Sequence, residues 1–270
     1  MSTPTPPDEG PGHGELRARD VVRTFGGAHG VRAVDEVTAR FSFGVRTGIV
    51  GESGSGKSTL GRMLVGLDRP TSGAVEYRGL DLSTVLGTRP GRSGFRREVQ
   101  YIGQDTTGSF DPRHTLRHAV TTSARRLLTV SREEAEELTE QVLARLGLAP
   151  AMADRRPDQV SGGQRQRFAI ARALVARPRM LVCDEVVSAL DVSVQGAILN
   201  LLKSESAAAG TGLVFISHGL PATAFLCDEI VVMHRGRIVE HGPATRLVHA
   251  PEHPYTRTLL AAHPQRAVAS

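Results

Sequence analysis

Apolar and polar positions alternate between short dense runs and long polar stretches along this chain. The run "TGIV", ending at Val50, is followed by a glycine-rich turn and then by "KSTLGRMLVGL", so residues 47–67 predict strand, turn and helix in succession. A second apolar run in "RMLVCDE" (179–185) predicts a buried strand that ends on two carboxylates. From about residue 105 to 160 the chain is polar and helix-rich. Within it, "SREEAEELTEQVLARLGL" (131–148) predicts an amphipathic helix with Ser131 as N-cap, Glu134 at the capping-box position and Gly147 near the stop. "RPGRSGFRREVQ" (89–100) predicts a solvated loop leading into the strand before Gln104. The first fourteen residues hold four prolines and no apolar segment, which predicts a disordered tail over 1–14.

No stretch approaches the roughly eighteen apolar residues of a membrane span, and the expected location is cytoplasmic. The two cysteines, Cys183 and Cys227, form no CxxC pair, which argues against a disulfide framework and against a zinc or iron–sulfur site. Cys183 sits in an apolar run and reads as a reduced core residue. The net charge of +5 is made almost wholly of arginine, without a dense basic run, and aromatics are 4%, so a base-stacking surface is not indicated. "HTLRH" (114–118) and the pair His249 and His253 have histidines four apart, but the first lacks a nearby third ligand. Pro251 and Pro254 interrupt any helix through the second pair.

The candidate chemistry is phosphate chemistry. Gly51–Ser58 satisfies G-x-x-x-x-G-K-[ST], in which glycines let the backbone wrap phosphates and the amides of the following helix start point at them. The candidate nucleotide residues are Gly51, Glu52, Ser53, Gly54, Ser55, Gly56, Lys57, Ser58 and Thr59. Lys57 would reach the β- and γ-phosphates, and the Ser58 hydroxyl would join Mg²⁺. Only one other lysine, Lys203, is present, which marks position 57 as a place where a planar guanidinium does not fit. Asp184 would hold Mg²⁺, and Glu185 would polarise a water for in-line attack. A second anion-binding loop, "VSGGQRQR" (160–167), opens a helix far from the first in sequence. Two such loops make sense if the second closes on a nucleotide held by another copy, giving a head-to-tail dimer with ATP sandwiched between.

These residues resemble the ATP-binding subunits of ABC transporters over about residues 16–264. "VSGGQRQR" resembles the signature loop, with Ser161, Gly162, Gly163 and Gln164 directed to the partner's nucleotide. The resemblance implies further roles: Gln104 in "VQYIGQD" as the Q-loop residue and a metal contact, Asp191 in "SALD" (188–191) as the D-loop aspartate crossing the dimer interface, His218 in "FISHG" as the switch histidine, and Phe25 in "VVRTFGG" as the aromatic that stacks on adenine. The implied catalytic set is Glu185, His218 and Gln104, the implied metal set Ser58, Gln104 and Asp184, and the cofactors ATP and Mg²⁺. The implied fold is α/β, a P-loop NTPase (RecA-like) core with an N-terminal antiparallel β subdomain and an inserted α-helical subdomain. The domain boundaries expected are core over 15–104 and 168–245, helical subdomain over 105–167, and a C-terminal extension over 246–270.

"GSFDPRHTL" (108–116) and "PEHPYTRTLLAAHP" (251–264) are similar to the oligopeptide, dipeptide and nickel importer branch. That likeness implies two transmembrane permease subunits, a second ATP-binding subunit, identical or homologous, and, indirectly, an extracytoplasmic solute-binding protein, with this chain peripheral on the cytoplasmic face of the cell membrane. No nucleic acid is implied, nor an iron–sulfur cluster, since the cysteine cluster of some branch members is missing. The chain departs from the family pattern at Val160, at Val186 where proline is common, at Gly219 where aspartate is usual, and in a longer spacing from Phe25 to Lys57. None of these removes a group that touches phosphate, metal or water, so an active ATPase is expected. The rival readings are an exporter ATPase, a non-transport ABC ATPase acting on ribosome or DNA, and a slow regulatory switch. The "HPYT" tail argues against the first. A single motif set without a heptad run argues against the second, and the presence of Glu185 against the third. The residues after 245 read either as a simple docking helix or as a contact specific to the branch.

Overall fold

The computed structural model describes residues 14–26, 30–106, 108–188 and 190–262. The predicted tail up to residue 13, Ala189 within "SALD", and the part of the C-terminal extension after residue 262 lie outside the described residues. In chain order the strands and helices are β1 (Glu15–Phe25), β2 (Val31–Ser42), β3 (Arg46–Val50), α1 (Lys57–Leu64), β4 (Ser72–Tyr77), β5 (Leu80–Asp81), α2 (Leu82–Gly87), α3 (Arg89–Glu98), β6 (Val99–Ile102), α4 (Leu116–Leu128), α5 (Arg132–Arg145), α6 (Pro150–Ala153), α7 (Gly162–Leu174), β7 (Met180–Asp184), α8 (Val192–Ala209), β8 (Gly212–Ser217), α9 (Leu220–Leu226), β9 (Glu229–His234), β10 (Arg237–Pro243), α10 (Ala244–His249) and α11 (Pro254–Ala262). They fall into two compact units, one made of residues up to Thr88 and from Gly212 onward, the other of Arg89–Thr211.

The first unit holds an antiparallel sheet in the order β2-β1-β4-β5. Leu16, Ala18 and Val21 of β1 and Val34, Val37 and Phe41 of β2 are buried. The spacing of the β1 residues skips a position because the β1–β2 register shifts between Ala18 and Val21, the irregularity of a bulge, where Asp20 has φ +46°. Gly73 of β4 passes this bulge so closely that a Cβ would lie 2.2 Å from the Asp20 carbonyl oxygen. The same unit pairs β3 in parallel with β8 and β9, with β10 antiparallel to β9. All six residues of β8 are buried, as expected for a parallel strand covered on both faces. α9 lies against β3, β8 and β9, close enough at Gly48 that a Cβ would meet the Thr223 methyl at 2.0 Å.

The second unit is mainly helical around the parallel pair β6 and β7, with α4, α5 and α7 packed on one another and α7 on β6. Two expectations meet different outcomes here. The helix expected in 131–148 is α5; the Ser131 hydroxyl accepts the Glu134 N–H at 3.1 Å, the Glu134 carboxylate accepts the Ser131 N–H at 2.9 Å, and Gly147 takes φ +63° past the end. Ser131→Ala removes one half of that box and should cost about 1 kcal/mol, read as a lower denaturant midpoint at unchanged slope. The solvated loop expected over 89–100 is instead α3, running into β6. Its single buried side chain, Phe95, is 2% exposed and anchors a helix whose arginines face outward. Pro90 stands in the first turn, where a missing N–H removes no helical hydrogen bond.

Candidate active site

In the first unit, Val50 is in register with Ser217 of β8 and Val232 of β9. Gly51, His218 and Met233 therefore follow at the carboxyl ends of three neighbouring parallel strands, the edge at which α/β sheets bind ligands. The turn after β3 admits no side chain at two places. A Cβ on Gly51 would lie 2.2 Å from the Met233 carbonyl oxygen, and one on Gly56 2.1 Å from that of Ala33. Gly56 also takes φ +98° as the N-cap of α1, and no side chain caps that helix start. A helix start of this kind is a general setting for anion binding.

Lys57 is 3% exposed, and its ammonium donates to the carbonyl oxygens of Gly51 and Glu52, each at 2.8 Å. The buried charge is thereby held by the loop itself. Glu52, Ser53 and Gly54 form the exposed crest, Ser55 is buried, and Ser58 and Thr59 are half-buried at the helix start. His218 is exposed between the end of β8 and Gly219, the N-cap residue of α9, whose N–H donates to the Ser217 hydroxyl at 3.0 Å. Phe25, at the end of β1, is 44% exposed and carries the Arg23 guanidinium 4.5 Å from its ring centroid.

In the second unit, β6 and β7 run in register from Val99↔Met180 to Ile102↔Cys183, so Gln104 and the pair Asp184–Glu185 also lie at carboxyl ends. Asp184 is 3% exposed and accepts a hydrogen bond from the Tyr101 phenol at 2.9 Å. Glu185 adopts φ +49°, an uncommon conformation for a residue with a side chain. Its carbonyl oxygen accepts both the N–H and the hydroxyl of Ser188, at 3.1 and 2.9 Å. Val186 and Val187 behind it are buried. Val186 thus fills with apolar packing the position where proline was expected. The structure brings two candidates into contact: the Gln104 amide donates to the Glu185 carboxylate at 2.9 Å.

The loop at 161–164 opens α7 with a reciprocal box, in which the Ser161 hydroxyl accepts the Gln164 N–H at 3.2 Å and the Gln164 side-chain oxygen accepts the Ser161 N–H at 3.0 Å. Both side chains are occupied in shaping the helix start, whose first amides belong to Gly162 and Gly163. Gly163 is confined further, since a Cβ there would lie 2.6 Å from a Val194 methyl. Asp191 is exposed at the N-cap position of α8, and its side chain makes no capping bond.

Tyr101 went unnoticed in the sequence; the only signal was a tyrosine three residues before Gln104 in a strand paired with the one that carries Asp184. Among the candidate metal spacings, His114 and His118 stack ring on ring at 4.3 Å. Among the described residues no group of three or more His, Cys, Asp or Glu side chains gathers to hold a metal ion.

Comparison with known proteins identifies the family. Residues 34–188 match the family model described as ABC transporter. A probable peptide ABC transporter ATP-binding protein of Sinorhizobium fredii is 44% identical over 235 residues, 87% of this chain and 66% of that protein. The oligopeptide transport ATP-binding protein OppF of Escherichia coli is 41% identical over 87% of this chain and 70% of its own length. The di/tripeptide transport ATP-binding protein DppF of Pseudomonas aeruginosa is 40% identical over 92% and 79%. Among solved structures, a dimeric bacterial ABC transporter cassette superposes with a TM-score of 0.75 at 26% identity, covering 85% of this chain and 98% of that one. The same cassette in a dimeric post-hydrolysis state, bound to ADP and phosphate, gives 0.74 at 27% identity. The chain belongs to the ABC transporter family, as one of its ATP-binding ATPase subunits.

Proposed function

We propose that this chain is the ATP-hydrolysing motor of an ABC importer for peptides. The observation that carries the ATPase reading is the carboxylate pair at the end of β7, with Asp184 buried against Tyr101 and Glu185 held by Gln104. The peptide class rests on the names of the relatives, which are peptide, oligopeptide and di/tripeptide transport proteins. Lys57 and the first-turn amides of α1 take the β- and γ-phosphates, Phe25 takes the adenine, and His218 contacts the γ-phosphate. A buried carboxylate fixed by a phenol suits a hard cation, so Ser58, Asp184 and Gln104 would hold Mg²⁺, which supplies positive charge to the phosphate oxygens.

Glu185 orients water for in-line attack and takes up its proton. Gln104 occupies that carboxylate until it is needed. Residues 105–167 act as the helical subdomain presenting the amides of Gly162 and Gly163, with Ser161 and Gln164, to the nucleotide of a second cassette, and Asp191 crosses the same interface. Each copy completes the other's site, and the higher affinity of the closed pair for ATP does work on the transporter. In this reading the chain sits peripherally on the cytoplasmic face of the membrane against two permease subunits, and an extracytoplasmic binding protein delivers the solute. No helix among the described residues is long and apolar enough to cross a membrane.

The test uses the assembled transporter in lipid nanodiscs, with its binding protein added. A mixture of short peptides should raise ATP turnover severalfold, whereas free amino acids should not. Stimulation by a different solute class, with peptides inert, would overturn the substrate assignment while leaving the ATPase reading intact.

A further inference from the structure

The segment from Ala244 onward packs as two short helices on the phosphate-loop edge of the first unit, and it touches the loop itself. Tyr255 and Leu259 of α11 and Ala244 and Leu247 of α10 are buried with Val50, Leu220, Ile230 and Val232 in one apolar cluster. The Tyr255 ring lies 3.9 Å, centroid to centroid, from that of His234, at the end of β9. Its phenol oxygen accepts the backbone N–H of Glu52 at 2.9 Å, across 203 residues of chain. Glu52 is the residue whose carbonyl oxygen receives the Lys57 ammonium at 2.8 Å. One residue of the phosphate loop is thus fixed on its N–H by Tyr255 and on its carbonyl by the phosphate-binding lysine.

The strap that carries Tyr255 is itself braced. The Glu240 carboxylate of β10 accepts the N–H groups of Glu252 and His253 at 2.9 and 3.1 Å, just before α11. Arg246 of α10 reaches the Glu252 carboxylate at 2.8 Å. His253 Nδ1 accepts the Tyr255 N–H at 3.1 Å. Each bond falls within the "PEHPYT" stretch or on its immediate support. Burial raises the Tyr255 phenol above its ordinary range, outweighing the opposing pull of the Glu52 N–H bond, so the hydroxyl stays protonated.

We propose that Tyr255 is a positioning residue for ATP binding: the C-terminal strap sets the conformation of the phosphate loop through the hydrogen bond from the Glu52 N–H to the Tyr255 hydroxyl. The proposal rests on the reading of residues 51–59 as a nucleotide loop. It gives the "HPYT" motif a task inside this chain, in place of a contact with another subunit. A hydrogen bond to a preorganised loop is worth about threefold to tenfold in binding.

The experiment uses the full chain and the fluorescent nucleotide mant-ATP. Tyr255→Phe keeps the ring in its cluster and removes only the hydroxyl. Its Kd for mant-ATP should rise about threefold to tenfold, KM for ATP should rise in parallel, and kcat should change less than twofold. Hydrogen exchange at the Glu52 amide should speed up while the strands β3 and β9 keep their protection. Glu240→Ala, which frees the strap without touching the loop, should give a smaller loss, and combining it with Tyr255→Phe should add little further. Unchanged Kd and unchanged Glu52 exchange in Tyr255→Phe would overturn the proposal, as would full additivity of the two substitutions. If the unmodified protein bound no mant-ATP at all, the nucleotide reading itself would fall, a result separable from either.

Discussion

Glu185→Gln leaves ATP bound and nearly stops its hydrolysis. The substitution keeps the shape of the side chain and an oxygen that can still accept the Gln104 amide, now 2.9 Å from the Glu185 carboxylate. The unusual backbone at φ +49°, held by Ser188, is likewise undisturbed. What is lost is the negative charge that, in the proposed mechanism, orients the attacking water and receives its proton, a contribution of about 10²–10⁴ in rate. Turnover should therefore fall at least about a hundredfold with no loss of nucleotide affinity. Because the γ-phosphate survives, the head-to-tail pair should accumulate: light scattering in Mg-ATP should report a doubled mass, and ADP should not produce it. Turnover within a factor of a few of the unmodified protein would remove Glu185 from its role. ATP binding without association would mean that the amides of Gly162 and Gly163 serve some purpose other than a partner's phosphate.

How much of this arrangement a reader of the sequence could see follows from how local each feature is. The phosphate loop, the carboxylates ending β7 and the capping box of α5 are each written within a few adjacent residues, because the backbone geometry they need is dictated by neighbours. The contacts that complete the site are not of that kind. Gln104 and Glu185 meet across 81 residues and Tyr101 and Asp184 across 83, through the register of two parallel strands that no local pattern specifies. Tyr255 is more remote still from the loop it touches. The helix over Arg89–Glu98 failed to announce itself because its amphipathic signal reduces to Phe95, and arginine-rich surroundings read as solvent-facing loop. The capping box at Ser161–Gln164 was hidden by its own resemblance to an anion loop, since the same residues suit both, and the structure shows their side chains serving the helix start.

Lys57→Ala abolishes most nucleotide binding, and the reason lies in what the lysine does before ATP arrives. Its ammonium is 3% exposed and bonded to the Gly51 and Glu52 carbonyl oxygens at 2.8 Å each. Phosphate oxygens would offer the desolvated ammonium charge-assisted bonds, which are shorter and stronger than bonds to neutral carbonyls. Removing charge-assisted bonds of this sort costs about 1.5–3 kcal/mol, so the Kd for mant-ATP should rise about tenfold to a hundredfold. Lys57→Arg should rescue little, because a planar guanidinium fork cannot reproduce the compact ammonium that bonds the Gly51 and Glu52 carbonyl oxygens at 2.8 Å each. Thermal unfolding separates this outcome from a damaged fold: the variant should still unfold in one cooperative transition, with the midpoint moved by only a few degrees. Unchanged affinity in a folded Lys57→Ala protein would mean that the loop after β3 binds no triphosphate, and the assignment of Glu185 would lose its substrate with it.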